Sequence, residues 1–325
     1  MKSIVIFGGA GFVGKHLIRR LTKNGHKIIV PYQRSVQEAK IRLLGVTGQV
    51  IPFRYSSLED KRLKSVLNNA DVCINLKTTY DQKKGDFNNT IYKFNQKLIR
   101  ILKSSKELKQ FILFSGLGVD IDKNSTRSIA VHKSEKEAFK QLDNVIIIRP
   151  GVIIGGGDIF MKRLLPIFKA SFFVPLFGDG STKFQPVFID DVSLAVDEII
   201  NSKIKGKNIY ELAGPRIYSY KEFFNHISNF LNKTRVLVPV PMAFMKPMIN
   251  IAEKTPISPL TSEQLTLFEK DNLAVNVDKS FKNLDINPQD TLQILKKTAL
   301  VQIKAASRYN HQTWECCVYS SNRCT

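Results

Sequence analysis

The sequence predicts an α/β fold in which a doubly wound parallel sheet is joined by a smaller C-terminal lobe. Two observations carry this. Short apolar runs rich in β-branched residues alternate with stretches of helical period from Ser3 to Arg149, and the alternation stops after Pro150. A glycine cluster, Gly8-Gly9-Ala10-Gly11-Phe12-Val13-Gly14, stands between the first run and the first helical stretch. Alternation of this kind means parallel strands buried on both faces, linked by right-handed crossovers.

Ser3 to Phe7 reads as a strand ended by glycines. Leu17, Ile18 and Leu21 give one apolar face to a helix over Lys15–Asn24, which Gly25 stops. Strand Lys27–Val30, helix Val36–Leu44, strand Gln49–Phe53 and helix Leu58–Leu67 follow, the last with a Ser56-Ser57-Leu58-Glu59 capping box. Then come strand Val72–Leu76, a long helix over Thr90–Lys106, strand Gln110–Phe114, helix Val131–Leu142 and strand Val145–Arg149. Further on, helices are expected at Phe160–Phe168 and Asp191–Ile200, the second capped by Asp190 and Asp191. A strand at Asn208–Leu212 can still join the sheet, and Val236–Pro259 is rich in proline, methionine and apolar residues.

Over 325 residues a hydrophobic share of 43% supplies a large core and excludes collagen-like, disordered and disulfide-scaffold classes. No apolar stretch reaches the ~20 residues of a membrane span, and no signal or transit peptide is read at the N-terminus. The 4 cysteines form no CxxC pair, and Cys73 alone lies in the body of the chain. That suits a reducing, cytoplasmic compartment. A formal net charge of +21 can attract an anionic partner such as a membrane surface. The lysines are scattered, without zinc-finger, RNP-like or helix-turn-helix signatures, so no nucleic-acid partner is expected. The 5 histidines show no metal-ligand spacing, and no metal site is expected.

The glycine cluster is where the chemistry is most legible. Gly8 permits a tight turn, Gly11 lets the backbone approach a pyrophosphate, and Gly14 allows helix and strand to pack closely. The helix start offers N–H groups and a partial positive charge to the phosphates. Residues 1–155 are therefore expected to form a Rossmann-type NAD(P)-binding domain, with 187–215 completing its sheet. Residues 156–186 and 216–300 form the smaller substrate or partner lobe, and 304–325 a disordered tail. Past the second strand, Val30-Pro31-Tyr32-Gln33-Arg34-Ser35 lacks the Asp or Glu that binds an NAD ribose, and Glu38 is the first acid. Arg34 and Ser35 instead suit a 2′-phosphate, favouring NADP(H) over NAD(H).

The glycine loop and Arg149-Pro150-Gly151 resemble the short-chain dehydrogenase/reductase superfamily, in its extended or atypical branch. Val30-Pro31-Tyr32, Leu43-Leu44-Gly45 through Gly48-Gln49-Val50, and Asp71-Val72-Cys73-Ile74-Asn75-Leu76 are similar to the NADPH-binding 39 kDa accessory subunit family of respiratory complex I and its bacterial relatives. So are Phe184-Gln185-Pro186-Val187-Phe188-Ile189-Asp190-Asp191-Val192, Tyr210-Glu211-Leu212-Ala213-Gly214-Pro215, Pro259-Leu260-Thr261-Ser262-Glu263-Gln264-Leu265 and Asp271-Asn272. The resemblance spans roughly residues 1–275. It implies cofactor contacts at Gly8, Gly11, Phe12, Val13, Gly14, Arg34, Ser35, Leu76, Lys133, Pro150 and Val152.

Catalytic superfamily members pair a tyrosine with a lysine four residues on, together with a serine or threonine. Here Ser115 and Lys133 match the serine and the lysine, and Ile129 stands where the tyrosine belongs. Isoleucine cannot donate a proton, so Ser115 and Lys133 are a catalytic remnant. Tyr55-Ser56 also replace an adenine-binding aspartate. The resemblance implies an NADP(H)-binding accessory or assembly factor of respiratory NADH dehydrogenase, silent or weakly active, peripheral at the inner face of the cytoplasmic membrane. An active NADP-dependent reductase or nucleotide-sugar epimerase/dehydratase using a displaced acid, and an NADPH-sensing regulator, remain open alternatives.

Overall fold

The computed structural model describes residues 1–80, 86–202, 204–253, 261–275 and 279–295. The expected tail, 304–325, lies outside them.

Seven parallel strands form the central sheet: β1 (Ser3–Phe7), β2 (Lys27–Tyr32), β3 (Val50–Arg54), β4 (Val72–Asn75), β5 (Gln110–Phe114), β6 (Val145–Pro150) and β11 (Lys207–Leu212). Their order is β11-β6-β5-β4-β1-β2-β3, so the topology reverses between β1 and β4. Crevices for ligands open at the carboxyl ends of strands at such a reversal. On one face Ile4, Ile6, Ile28, Ile74, Ile112 and Ile146 pack under α1 (Phe12–Lys23) and α7 (Ile189–Asn201). On the other, Val5, Cys73, Phe111 and Ile147 pack under α3 (Lys61–Asn68), α4 (Phe94–Lys103) and α5 (Thr126–Gln141). The alternation of neighbours between faces is the period-2 signature of strands covered on both sides.

Helix starts are set by caps, which shift several boundaries. Helix α5 begins at Thr126 because the Ser125 hydroxyl accepts from the Ser128 N–H at 2.9 Å. The expected Ser56–Glu59 capping box does not form; Asp60 caps α3, accepting from Arg62 N at 2.9 Å. Asp190 and Asp191 lie within the first turn of α7, after the N-cap Phe188, and so do not cap it. Instead Asp190 meets His16 Nδ1 at 3.1 Å, and buried Asp191 accepts from Gln289 N at 2.7 Å. The long helix opens with a π-helical turn, Asn88–Lys93, and the Asn95 amide donates to the Ile91 carbonyl at 3.0 Å.

A second apolar cluster gathers Phe168, Phe184, Tyr218, Tyr220, Phe223 and Phe224. It is built from α6 (Ile159–Ala170), β8 (Phe173–Phe177), α8 (Tyr220–Phe230), β13 (Val236–Val240) and α9 (Met242–Ala252). Strands β8 and β13 pair in parallel. Met245 and Ile249 of α9 enter this core, while Phe244, Met248 and Ile251 stay exposed. Among the described residues no helix is long and apolar enough to cross a membrane.

Candidate functional site

The glycine loop sits at the reversal point. Gly8 has a φ of +79°, and a Cβ there would stand 3.0 Å from the Leu76 carbonyl carbon. Only glycine tolerates both conditions. The Gly11 N–H donates to the Gly8 carbonyl at 2.9 Å, and the Gly11 carbonyl accepts from Lys15 at 3.1 Å, starting α1. A Cβ on Gly14 would lie 2.5 Å from the Gly9 Cα, so strand end and helix touch backbone to backbone. A Cβ on Gly11 would meet nothing but the Gly8 oxygen, at 3.1 Å, and otherwise faces open space. No side chain caps α1, and its first turn, where Phe12 and Val13 lie, holds no acid. The helix start thus offers a cradle of N–H donors that fits the diphosphate of a dinucleotide.

At the end of β2, Tyr32 donates to Glu38, which also takes Arg42 at 2.6 Å. Those hydrogen bonds, from Tyr32 and then Arg42, hold the Glu38 carboxyl below the usual range. The first acid after β2 is thus already engaged. Exposed Arg34 receives at its carbonyl the Gln37 N–H at 2.9 Å, and its guanidinium makes no ion pair among the described residues. Ser35 is the N-cap of α2 (Val36–Arg42), with no side-chain cap bond. Arg54 pairs in register with Tyr32, which brings a second arginine to this end of the sheet. Tyr55 is a core residue, edge-on to Phe7 at 6.0 Å, and burial pushes its phenol up to about 12.

The serine and lysine expected as a catalytic remnant lie just after β5 and on α5. Ser115 follows β5, and its Oγ is buried with no hydrogen-bond partner. Ile129 and Lys133 both lie on the exposed side of α5. Leu76 donates its N–H to the Phe7 carbonyl at 3.0 Å, tying β4 to the glycine loop. Pro150 ends β6 and accepts from Leu117 at 3.2 Å, whereas Val152 packs against the second apolar cluster. On the neighbouring strand β6, Arg149 makes a fork to Glu135 (Nε–Oε1 2.9 Å, Nη2–Oε2 2.7 Å) and reaches Asp120 at 2.8 Å. Glu211 stands 3.6 Å from the same guanidinium, and His132 Nδ1 lies 3.1 Å from Glu135.

The later motifs converge beside this network. Gln185 donates to the Gly214 carbonyl at 2.6 Å and its N–H reaches the Asn272 carbonyl at 3.1 Å. The backbone of Gln185 and Pro186 leaves no room for a side chain at Gly151 or Gly214. Glu263 accepts from Ser125 Oγ and from Arg127 N at the start of α5, joining the second cluster to the helix that carries Lys133.

Residues 4–119 match the NAD dependent epimerase/dehydratase family. Beyond that epimerase/dehydratase segment, similarity runs along most of the chain. It is 28% identical over 297 residues to NADH dehydrogenase (ubiquinone) 1 alpha subcomplex subunit 9, mitochondrial, of Arabidopsis thaliana, covering 87% of this chain and 73% of that protein. It is 22% identical to the NADH-ubiquinone oxidoreductase 40 kDa subunit of Neurospora crassa, covering 88% and 75%. Among solved structures, the UDP-glucuronic acid 4-epimerase of Bacillus cereus superposes with a TM-score of 0.62 at 17% identity, covering 82% of this chain and 99% of that one. The protein gox2253 superposes at 0.69 with 15% identity, covering 95% and 99%. These two likenesses establish the epimerase/dehydratase fold.

Sequence reasoning missed three features of the site. Gly9 is as constrained as its neighbours, since a Cβ there would stand 2.6 Å from Val30 Cγ1. Arg54 beside Tyr32 and Glu211 beside Arg149 bring together residues far apart in the chain, and only the strand register reveals them.

Proposed function

We infer that this chain binds NADP(H) in the crevice and serves as an accessory or assembly subunit of respiratory NADH dehydrogenase, without turning the nucleotide over. The glycine-loop cradle supports nucleotide binding. The named relatives aligned along 87% of the chain support the partner. Ile129 in place of a proton donor supports silence. With no protein acid on α5 at that position, NADPH should not be oxidised in the presence of carbonyl acceptors. Steady consumption would favour an active reductase.

Arg34 and Arg54 at the end of β2 and β3 suit a 2′-phosphate, and Glu38 is held by Tyr32 and Arg42. NADPH is therefore expected to bind more tightly than NADH. Arg34→Gln should weaken NADPH about tenfold to hundredfold, the worth of one charge-assisted hydrogen bond, and leave NADH unchanged. Fluorescence titration of both nucleotides checks this; equal affinities in the parent protein would sink the assignment. At ~100 times its Kd, NADPH should add about 2.7 kcal/mol of stability, read as a raised Tm.

For location we infer a peripheral place at the inner face of the cytoplasmic membrane. Residues 159–178 and 223–252 contain Lys162, Arg163, Lys169, Lys233, Arg235 and Lys246 but no carboxylate. Exposed Phe172, Phe173, Phe244, Met248 and Ile251 lie in the same segments. Cations beside exposed apolar side chains suit an anionic lipid surface. Sedimentation with anionic vesicles at low salt should carry the protein down, and the binding should fade with salt. Protein left in the supernatant would make any membrane residence depend on a protein partner.

A further inference from the structure

The net charge of +21 is scattered along the sequence, but the fold sorts it. On one face of the sheet α7 answers α1: Asp197 meets Arg20 at 3.3 Å, and Asp190 meets His16 at 3.1 Å. On the other face α4 packs between α3 and α5. There α3 and α4 carry Lys61, Arg62, Lys64, Lys97, Arg100 and Lys103, all exposed, and not one carboxylate. Helix α5 adds exposed Lys133, Lys136 and Lys140, while its Glu135 is buried and held by Arg149.

Lys93, Lys97, Arg100 and Lys103 stand three or four residues apart, so they form one exposed stripe along α4 and the turn that opens it. Like charges at that spacing repel and weaken the helix that holds them. The helix macrodipole accounts for Arg100 and Lys103 in the last turn, but not for Lys93 and Lys97. Nearby counter-charges come from the turn before α3, where Glu59 reaches Lys97 at 3.3 Å and Asp60 takes Arg62 at 2.9 Å. Lys103 has only the neutral Gln141 of α5, at 2.9 Å. No large apolar side chain of α3 or α4 is exposed, so this face offers a bilayer nothing to insert. Nor is any aromatic ring of the two helices exposed for a base to stack on. A second copy would bring the same cations face to face. What fits is a protein surface whose carboxylates are spaced to match, because charges fixed on a packed helix select an ordered set of counter-charges.

We propose that the face built by α3, α4 and α5 docks the acidic surface of a protein partner, with the α4 stripe at its centre. The inference rests on the functional reading only in needing a protein partner, not in that partner being NADH dehydrogenase.

The test uses the tagged full chain in gently solubilised membranes of its own cell, treated with a zero-length carbodiimide that joins lysine to carboxylate. Peptide mass spectrometry reads which lysines are coupled, and to what. Lys61, Lys64, Lys97 and Lys103 should couple to Asp and Glu of one partner protein, while Lys23, Lys205 and Lys221, exposed elsewhere, do not. Without coupling, Lys97→Gln/Arg100→Gln/Lys103→Gln should retain about tenfold less of that protein than the parent. Lys23→Gln/Lys205→Gln/Lys221→Gln removes the same charge and should retain as much as the parent. Both variants should melt with the parent, which shows them folded. Salt at ~1 M, where the Debye length is about 3 Å, should release the partner. Equal retention by the two variants, or no coupling at α4, overturns the proposal. So does retention that nuclease abolishes, or anionic vesicles that sediment the parent but not the stripe variant, since the occupant is then nucleic acid or lipid. Coupling to a subunit of NADH dehydrogenase supports the functional reading as well. Coupling to a different protein overturns that reading and leaves the docking face standing.

Discussion

Replacing Arg149 with alanine should cost about 3–5 kcal/mol, a large share of the stability of any single domain. The guanidinium is buried and forks onto Glu135, with Asp120 at 2.8 Å and Glu211 at 3.6 Å. Its removal strands carboxylates at the base of the crevice. A denaturant melt measures the loss, and Arg149→Ala/Glu135→Ala should recover part of it, since the cycle removes a pair rather than one partner. A single-variant loss below about 1 kcal/mol would mean that water replaces the guanidinium freely. Acid should act through the same network. Burial tends to raise the Asp120 carboxyl, but the hydrogen bond and charge of Arg149 hold it below its usual range. Its stabilisation is therefore present above the unfolded value, about 3.9, and is lost as pH falls through the depressed folded value. Asp120→Asn should flatten the acid limb of a pH–stability profile below about pH 4.

Gly11→Val should abolish binding of NADPH and NADH alike, by a hundredfold or more, while leaving the chain folded. The Gly11 Cβ position meets only the Gly8 oxygen at 3.1 Å, so the added side chain points outward into the place of the diphosphate. Valine at an N-cap lowers stability by about 1 kcal/mol, visible as a modest drop in Tm. Gly14→Ala should do the reverse. Its Cβ would stand 2.5 Å from the Gly9 Cα, backbone against backbone, so α1 must shift from β1 and the fold loses about 1–3 kcal/mol. Loss of binding with near-parental stability in one variant, and loss of stability in the other, separates cradle from packing. Undiminished NADPH affinity in Gly11→Val would show that the loop is only a turn.

The residues that were legible in the sequence are those governed by local rules. Ser3–Phe7 and Gln110–Phe114 are strands to the residue, because apolar β-branched runs between glycines and polar residues leave no other choice. Helix starts were less legible: Ser125 and Asp60 cap α5 and α3 through single hydrogen bonds that a periodicity window does not see. Asp190 and Asp191 read as caps from position alone, yet their partners His16 and Gln289 come from distant segments. At the site, the glycine loop was legible because strand, turn and helix are contiguous. Arg149 and Glu211 become neighbours across β6 and β11 only after the register is known.

A nucleotide-holding partner of the respiratory enzyme should be isolated together with it. Affinity purification of the tagged full chain from gently solubilised membranes of its own cell tests that most directly. The expected result is NADH dehydrogenase subunits in fixed proportion to the chain, with bound NADPH released on denaturation. A chain that emerges alone from membranes in which the NADH dehydrogenase is intact would contradict it.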